Sequence, residues 1–122
     1  MTTGMLLISH VPKIAAGVAE LIRQVAPDIN LTTAGGTSSG EIGTDMDHIL
    51  AAIDENKADE LMVFYDLGSA KMNLDLATDF SEKPLIRYDV AFLEGAYSAA
   101  ALLQSGVPRS EIEKQLAPLK IK

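Results

Sequence analysis

The chain has 122 residues, 48% of them hydrophobic and 22% charged, which fits one soluble domain with a core of its own. Cysteine and tryptophan are absent, so disulfides and thiolate-bound metal sites are excluded and the core must be aliphatic. A net charge of −7 argues against binding nucleic-acid backbones or anionic lipid surfaces, and no apolar run is long enough to span a bilayer. No basic segment joins an apolar one at the N-terminus, so no signal peptide is expected, and the lack of cysteine fits a reducing cytoplasm.

Met5-Leu6-Leu7-Ile8-Ser9 reads as a buried strand. His10 follows at its carboxyl end, where open α/β sheets place their chemistry. Pro12 opens a helix in which Ile14, Val18, Leu21, Ile22 and Val25 recur at helical spacing, and Pro27 closes it. Ile29 to Thr33 is expected as a shorter strand, followed by a Gly/Ser/Thr loop from Ala34 to Gly43. Thr44 is expected to cap the next helix, with Asp45 and Asp47 in its first turn. Met46, Ile49, Leu50 and Ile53 form its buried stripe, and His48 falls on the opposite, solvent-facing side.

Leu61 to Tyr65 is the third strand, apolar at every position like the first. Asp66-Leu67-Gly68-Ser69 turns the chain into a helix over Ala70 to Phe80, with Ser69 placed to cap it. Pro84 to Tyr88 is a fourth strand. Asp89 to Gln104 is a long Ala-rich helix, stopped by Gly106 and Pro108. Ser110 and Glu113 make a capping box for a short last helix carrying Ile112 and Leu116. The alternation predicts an α/β fold: a mostly parallel open sheet in the order 2-1-3-4, with helices on both faces.

In that order the winding reverses between strands 1 and 3, and the loops after them open a crevice. Ser9 and His10 lie on one loop, Asp66, Gly68 and Ser69 on the other, and Gly35 to Gly40 on the loop after strand 2. Asp66 has two possible uses. It can accept a hydrogen bond from one ring nitrogen of His10, leaving the other as a nucleophile, or it can cap the following helix. The backbone N–H groups of the Gly/Ser loops can gather into an anion-binding nest, and the start of the first helix adds more. Such a set would hold a phosphoryl group on His10, stabilised by Ser9, Gly36, Thr37, Gly68 and Ser69. No cluster of metal-ligating residues is evident, so no metal is expected.

Leu6-Leu7-Ile8-Ser9-His10, Gly35-Gly36, Ile42-Gly43-Thr44-Asp45 and Asp66-Leu67-Gly68-Ser69-Ala70 occur in the order and spacing of the mannose-type IIA domains of the bacterial phosphotransferase system. The resemblance covers nearly the whole chain, as a single IIA domain over 1–122. Within that family the chain is similar to the phosphoryl-donor subunits of phosphotransferase-dependent dihydroxyacetone kinases. Sugar-transporting members follow Asp-Leu with two glycines, a serine and a proline, where this chain has Gly68-Ser69-Ala70-Lys71.

The resemblance implies a phosphohistidine at His10 with Asp66 orienting the ring, the family's phosphorylated nitrogen being Nε2. It implies a histidine phosphocarrier protein as donor and ADP on a partner kinase subunit as acceptor, so that this chain binds no cofactor itself. It further implies a cytoplasmic homodimer. Fused phosphocarrier and enzyme I-like domains, found after the IIA domain in some members, are absent from the 122 residues, which points to the cell's general phosphocarrier as donor. Three other readings stand beside it: a sugar-transport IIA protein passing phosphate to a IIB domain, a non-enzymatic anion-binding α/β module, and a metal-dependent hydrolase using His10 and Asp66. Val11, Pro12, Lys71 and Met72 are expected to be exposed around the rim as a docking surface.

Overall fold

The computed structural model describes residues 1–122. Strands and helices alternate as β1 (Thr3–Ser9), α1 (Pro12–Val25), β2 (Leu31–Gly35), α2 (Met46–Glu55), β3 (Glu60–Tyr65), α3 (Lys71–Phe80), β4 (Leu85–Tyr88), α4 (Phe92–Gln104) and α5 (Arg109–Leu116). The four strands form one parallel sheet in the order β2-β1-β3-β4, as the alternation predicted.

β1 and β3 are apolar at nearly every position because both faces of the central strands are covered. The two-residue period sorts their side chains. Met5, Leu7, Met62 and Phe64 pack against Ala19 and Ile22 of α1, Ala96 and Ala99 of α4 and Ile112 of α5. Leu6, Ile8, Val63 and Tyr65 pack on the other face against Ile49 and Ile53 of α2 and Leu74 and Ala77 of α3. Leu6, Leu7 and Ile8 are fully buried, and burial of each such side chain contributes about 1.5–3 kcal/mol. This core fixes where β1 and β3 end, and so where their loops diverge. No helix is long and apolar enough to cross a membrane.

Several element ends depart from the sequence pattern. β2 starts at Leu31 rather than Ile29 and continues to Gly35, in register with Met5 to Ser9 of β1. Ile29 instead packs on the core from the turn before it. Asp45, not Thr44, caps α2: its carboxylate accepts the His48 N–H at 2.7 Å. Thr44 is held by Asn73, whose Nδ2 donates to its hydroxyl and its carbonyl. His48 is not solvent-facing; it is half-buried, with Nδ1 2.9 Å from the Gly36 carbonyl.

Ser69 caps no helix, because a 3-10 turn over Gly68–Ala70 precedes α3 and the Ser69 hydroxyl is used elsewhere. Ser110 lies inside α5, which starts at Arg109 after the extended Pro108 and has no side-chain cap. Glu113 accepts from the Tyr88 hydroxyl instead of closing a capping box. α4 starts at Phe92 rather than Asp89, since the backbone of residues 89–91 pairs with the C-terminal segment through Ala91 to Leu119, Val90 to Lys120 and Ile121 to Asp89.

Candidate functional site

The β2-β1-β3-β4 order puts the end of β1 beside the end of β3 at the point where the winding reverses. His10 leaves the sheet there, held from both sides. Its N–H donates to Asp66 Oδ2 at 2.9 Å, and its carbonyl accepts from the Gly43 N–H at 2.8 Å. On the ring, Nδ1 lies 2.8 Å from Asp66 Oδ1, and Nε2 lies 2.7 Å from Ser69 Oγ.

One neutral tautomer satisfies both contacts: Nδ1–H donates to the carboxylate, and the Nε2 lone pair accepts the Ser69 hydroxyl proton. The His10 side chain is 18% exposed and Asp66 11%, while Ser69 is exposed. Nδ1 is therefore committed, and only a mobile hydroxyl on an exposed residue covers Nε2.

Asp66 owes its aim to its backbone and its neighbours. Its N–H donates to the Ile8 carbonyl at 3.1 Å, continuing the β1–β3 ladder by one residue. Its carboxylate also accepts the Leu67 N–H at 2.7 Å. Both oxygens are thus spent on His10 and Leu67, and the helix-cap alternative for Asp66 is not adopted. The N–H groups of Gly68 and Ser69, the first of the 3-10 turn, have no acceptor in the chain. Those of Val11 and Lys13 at the start of α1 are likewise unpaired. All four sit at the same rim as His10, where oriented N–H groups favour an anion.

The loop after β2 is different from the open nest that its composition suggested. Gly36 N–H donates to the Ser9 carbonyl, Thr37 N–H to the Glu41 carbonyl and Ser38 N–H to the Asp45 carboxylate. The Thr37 hydroxyl accepts from Glu41 N–H. The donors of Gly36 and Thr37 are therefore consumed within the loop, and neither N–H is free for a phosphoryl group. Gly36 has φ +73°, and a Cβ there would lie 2.6 Å from the Glu41 carbonyl and 2.8 Å from the Pro12 ring, so only glycine fits.

Ser9 is also withdrawn from the rim. It is fully buried, and its hydroxyl donates to the Val11 carbonyl and accepts from Ala15 N–H, fixing the start of α1. Of the residues singled out in the sequence, His10, Asp66, Gly68 and Ser69 are brought together at the surface, while Ser9, Gly36 and Thr37 brace them from behind.

The bracing continues outward through Asp45. The backbone N–H groups of Ser38 and His48 hold its carboxyl below the usual carboxylate range. Sequence reasoning missed Asn73, whose side-chain amide holds Thr44, the Gly43 N–H that holds the His10 carbonyl, and this role of Asp45. The signals available were the Ile42-Gly43-Thr44-Asp45 motif and the Asp45-to-His48 spacing, which suits an N-cap. The expected rim needs correction too. Met72 is 71% exposed, but Val11, Pro12 and Lys71 are half-buried, and the other exposed apolar side chains on these loops are Ile42 and Leu67.

Residues 4–112 match the family model EIIA-man, described as the PTS system fructose IIA component. The chain belongs to the EIIA-man family. Within the span of that EIIA-man match lie His10, Asp66, Ser69 and the whole loop after β2. The chain is 49% identical, over 99% of its length and 98% of the relative's, to the "PTS-dependent dihydroxyacetone kinase, phosphotransferase subunit DhaM" of Lactococcus lactis. It is 44% identical, over 98% of its length and 96% of the relative's, to the "PEP-dependent dihydroxyacetone kinase 1, phosphoryl donor subunit DhaM" of Listeria innocua. A crystal structure of a protein of unknown function superposes with a TM-score of 0.86 at 31% identity, covering 100% of this chain and 98% of that one.

Proposed function

We propose that this chain is the phosphoryl-donor subunit of a phosphotransferase-dependent dihydroxyacetone kinase, a single IIA domain working in the cytoplasm as a homodimer. The observation that carries the chemistry is the His10 ring, with Nδ1 taken by Asp66 and Nε2 against the hydroxyl of the exposed Ser69, whose own N–H and that of Gly68 are unpaired. The observation that favours the dihydroxyacetone kinase is the near full-length identity to relatives named as its phosphoryl-donor subunits.

In this reading Nε2 attacks the phosphorus of the phosphohistidine on the histidine phosphocarrier protein. The donor's P–N bond breaks, its ring keeps the electron pair, and a new P–Nε2 bond forms on His10. The ring becomes cationic with its proton still on Nδ1, and the Asp66 carboxylate offsets that charge. The Ser69 hydroxyl rotates from Nε2 to a phosphoryl oxygen, and the Gly68 and Ser69 N–H groups donate to the others. In the second transfer an oxygen of ADP, held by the partner kinase subunit, attacks the phosphorus, and the electron pair returns to Nε2. Positioning and electrostatics suffice for both steps. Met72, Leu67 and Ile42 offer apolar contact to whichever protein docks.

The acceptor is tested by offering the phosphorylated protein to an ADP-loaded dihydroxyacetone kinase subunit and, separately, to a sugar-transport IIB domain. ATP formation with no transfer to IIB is expected. Transfer to IIB alone would replace this reading with the sugar-transport one.

A further inference from the structure

Lys122 lies outside every sequence motif of the site, yet it reaches the back of the site. Its ammonium donates to the carbonyl of Tyr65 at 2.6 Å and to that of Asp66 at 3.0 Å. It also sits over the Tyr65 ring, 4.4 Å from the centroid, a cation–π distance. The segment that delivers it is fixed: Val90 bridges Lys120, and the N–H groups of Ile121 and Lys122 donate to the Asp89 carbonyl. The anchor itself is held, since the Asp89 carboxylate accepts from the Tyr65 hydroxyl at 2.6 Å and from Arg87 Nε at 3.0 Å.

We propose that Lys122 is a positioning residue for phosphorylation of His10, acting by fixing the Asp66 main chain whose carboxylate orients the ring. Asp66 is held at one end by its N–H on Ile8 and at the other by its carbonyl on the Lys122 ammonium. Beyond Asp66 the chain leaves the ladder through Leu67, which is exposed. Without the ammonium, the Asp66 carbonyl has no other donor in the chain, and the peptide following Asp66 keeps only the local bond from the Leu67 N–H to the Asp66 carboxylate itself. The carboxylate would then lose its fixed distance to Nδ1. The ammonium is also a half-buried positive charge beside a site that gains negative charge on phosphorylation. Burial pulls its pKa below the usual lysine value, while the neighbouring Asp66 and Asp89 carboxylates favour the charged form.

This inference rests on the functional reading above for its kinetics but not for its geometry, so two readouts separate them. The first is the His10 ring state in the unphosphorylated protein, from long-range 1H–15N spectra of wild type, K122M and K122R. Wild type and K122R are expected to hold the proton on Nδ1, and K122M to show a mixture of tautomers. The second is the rate of phosphoryl acceptance from the phosphocarrier protein, expected to fall about 10-fold in K122M, as when the partner that orients a functional ligand is lost, and to recover in K122R. A melting temperature is recorded for each variant. If K122M lowers the melting temperature but leaves the ring state or the rate of wild type, Lys122 only anchors the C-terminal segment and the inference is overturned. If wild type accepts no phosphoryl group at all, the functional reading fails, while the tautomer comparison still decides the positioning role.

Discussion

At the scale of single residues, phosphoryl transfer through His10 depends on unequal treatment of its two ring nitrogens. Asp66 and Ser69 do this from opposite ends of the ring, and their substitutions should differ. Asp66→Asn keeps the shape but offers a donor where Nδ1–H and two backbone N–H groups need acceptors. Phosphoryl acceptance, followed by quenched-flow mass analysis, should slow about 10–100-fold, with a stability loss of about 1–3 kcal/mol from the partly buried unpaired groups. Ser69→Ala removes one exposed hydroxyl that the fold does not need. Its stability should stay within about 0.5 kcal/mol of wild type, while transfer slows about 10-fold through loss of a hydrogen bond to a charged group. Equal stability losses in both variants would mean that Ser69 is structural. The sequence alone placed both residues at the rim and offered the His10–Asp66 pairing as one of two uses of Asp66, because strand ends and loop order follow from hydrophobic pattern. It misjudged Ser9, because one serine beside a histidine looks the same whether its hydroxyl faces the rim or turns inward to Val11 and Ala15.

At the scale of elements, the loop after β2 works as a brace. Its composition reads as a flexible anion-binding nest, but its donors are turned inward by Ser9, Glu41 and Asp45. Composition reports what N–H groups a loop can expose, and not that a carboxylate seven residues beyond Ser38 will recruit one of them. Asp45 is that carboxylate, capping α2 and holding Ser38 at once. Asp45→Ala should cost about 0.5–2 kcal/mol at neutral pH by chemical denaturation. Because the folded-state pKa of Asp45 is depressed, its contribution is present above the unfolded carboxylate value and is lost as pH falls through the folded one. The gap between variant and wild type should therefore shrink as pH drops below about 4, and a gap that widens there would contradict the assigned partners. The helix ends were legible only to within a few residues, since Asp89 to Ala91 pair with the C-terminal segment and so cannot join α4. That pairing links residues too far apart in sequence for any local pattern to show.

At the scale of the whole molecule, the topology makes the chemistry possible. Two apolar strands buried on both faces are the clearest signal in the chain, and they alone place His10 next to Asp66 across the winding reversal. The rim they create bears exposed Met72, Leu67 and Ile42. Met72→Glu should leave the melting temperature unchanged, because the side chain is already in solvent, and should lower kcat/KM for transfer by weakening docking. Steady-state rates at varied phosphocarrier concentration check this, and an unaltered kcat/KM would remove Met72 from the contact surface.

The central claim is that His10 carries the phosphoryl group. It is tested most directly by intact-mass spectrometry of wild type and His10→Gln after incubation with phosphoenolpyruvate, enzyme I and the phosphocarrier protein. The account predicts one acid-labile phosphoryl adduct on the wild type and none on His10→Gln. An adduct of equal yield on both proteins, or none on a folded wild type beside an active relay, would contradict it.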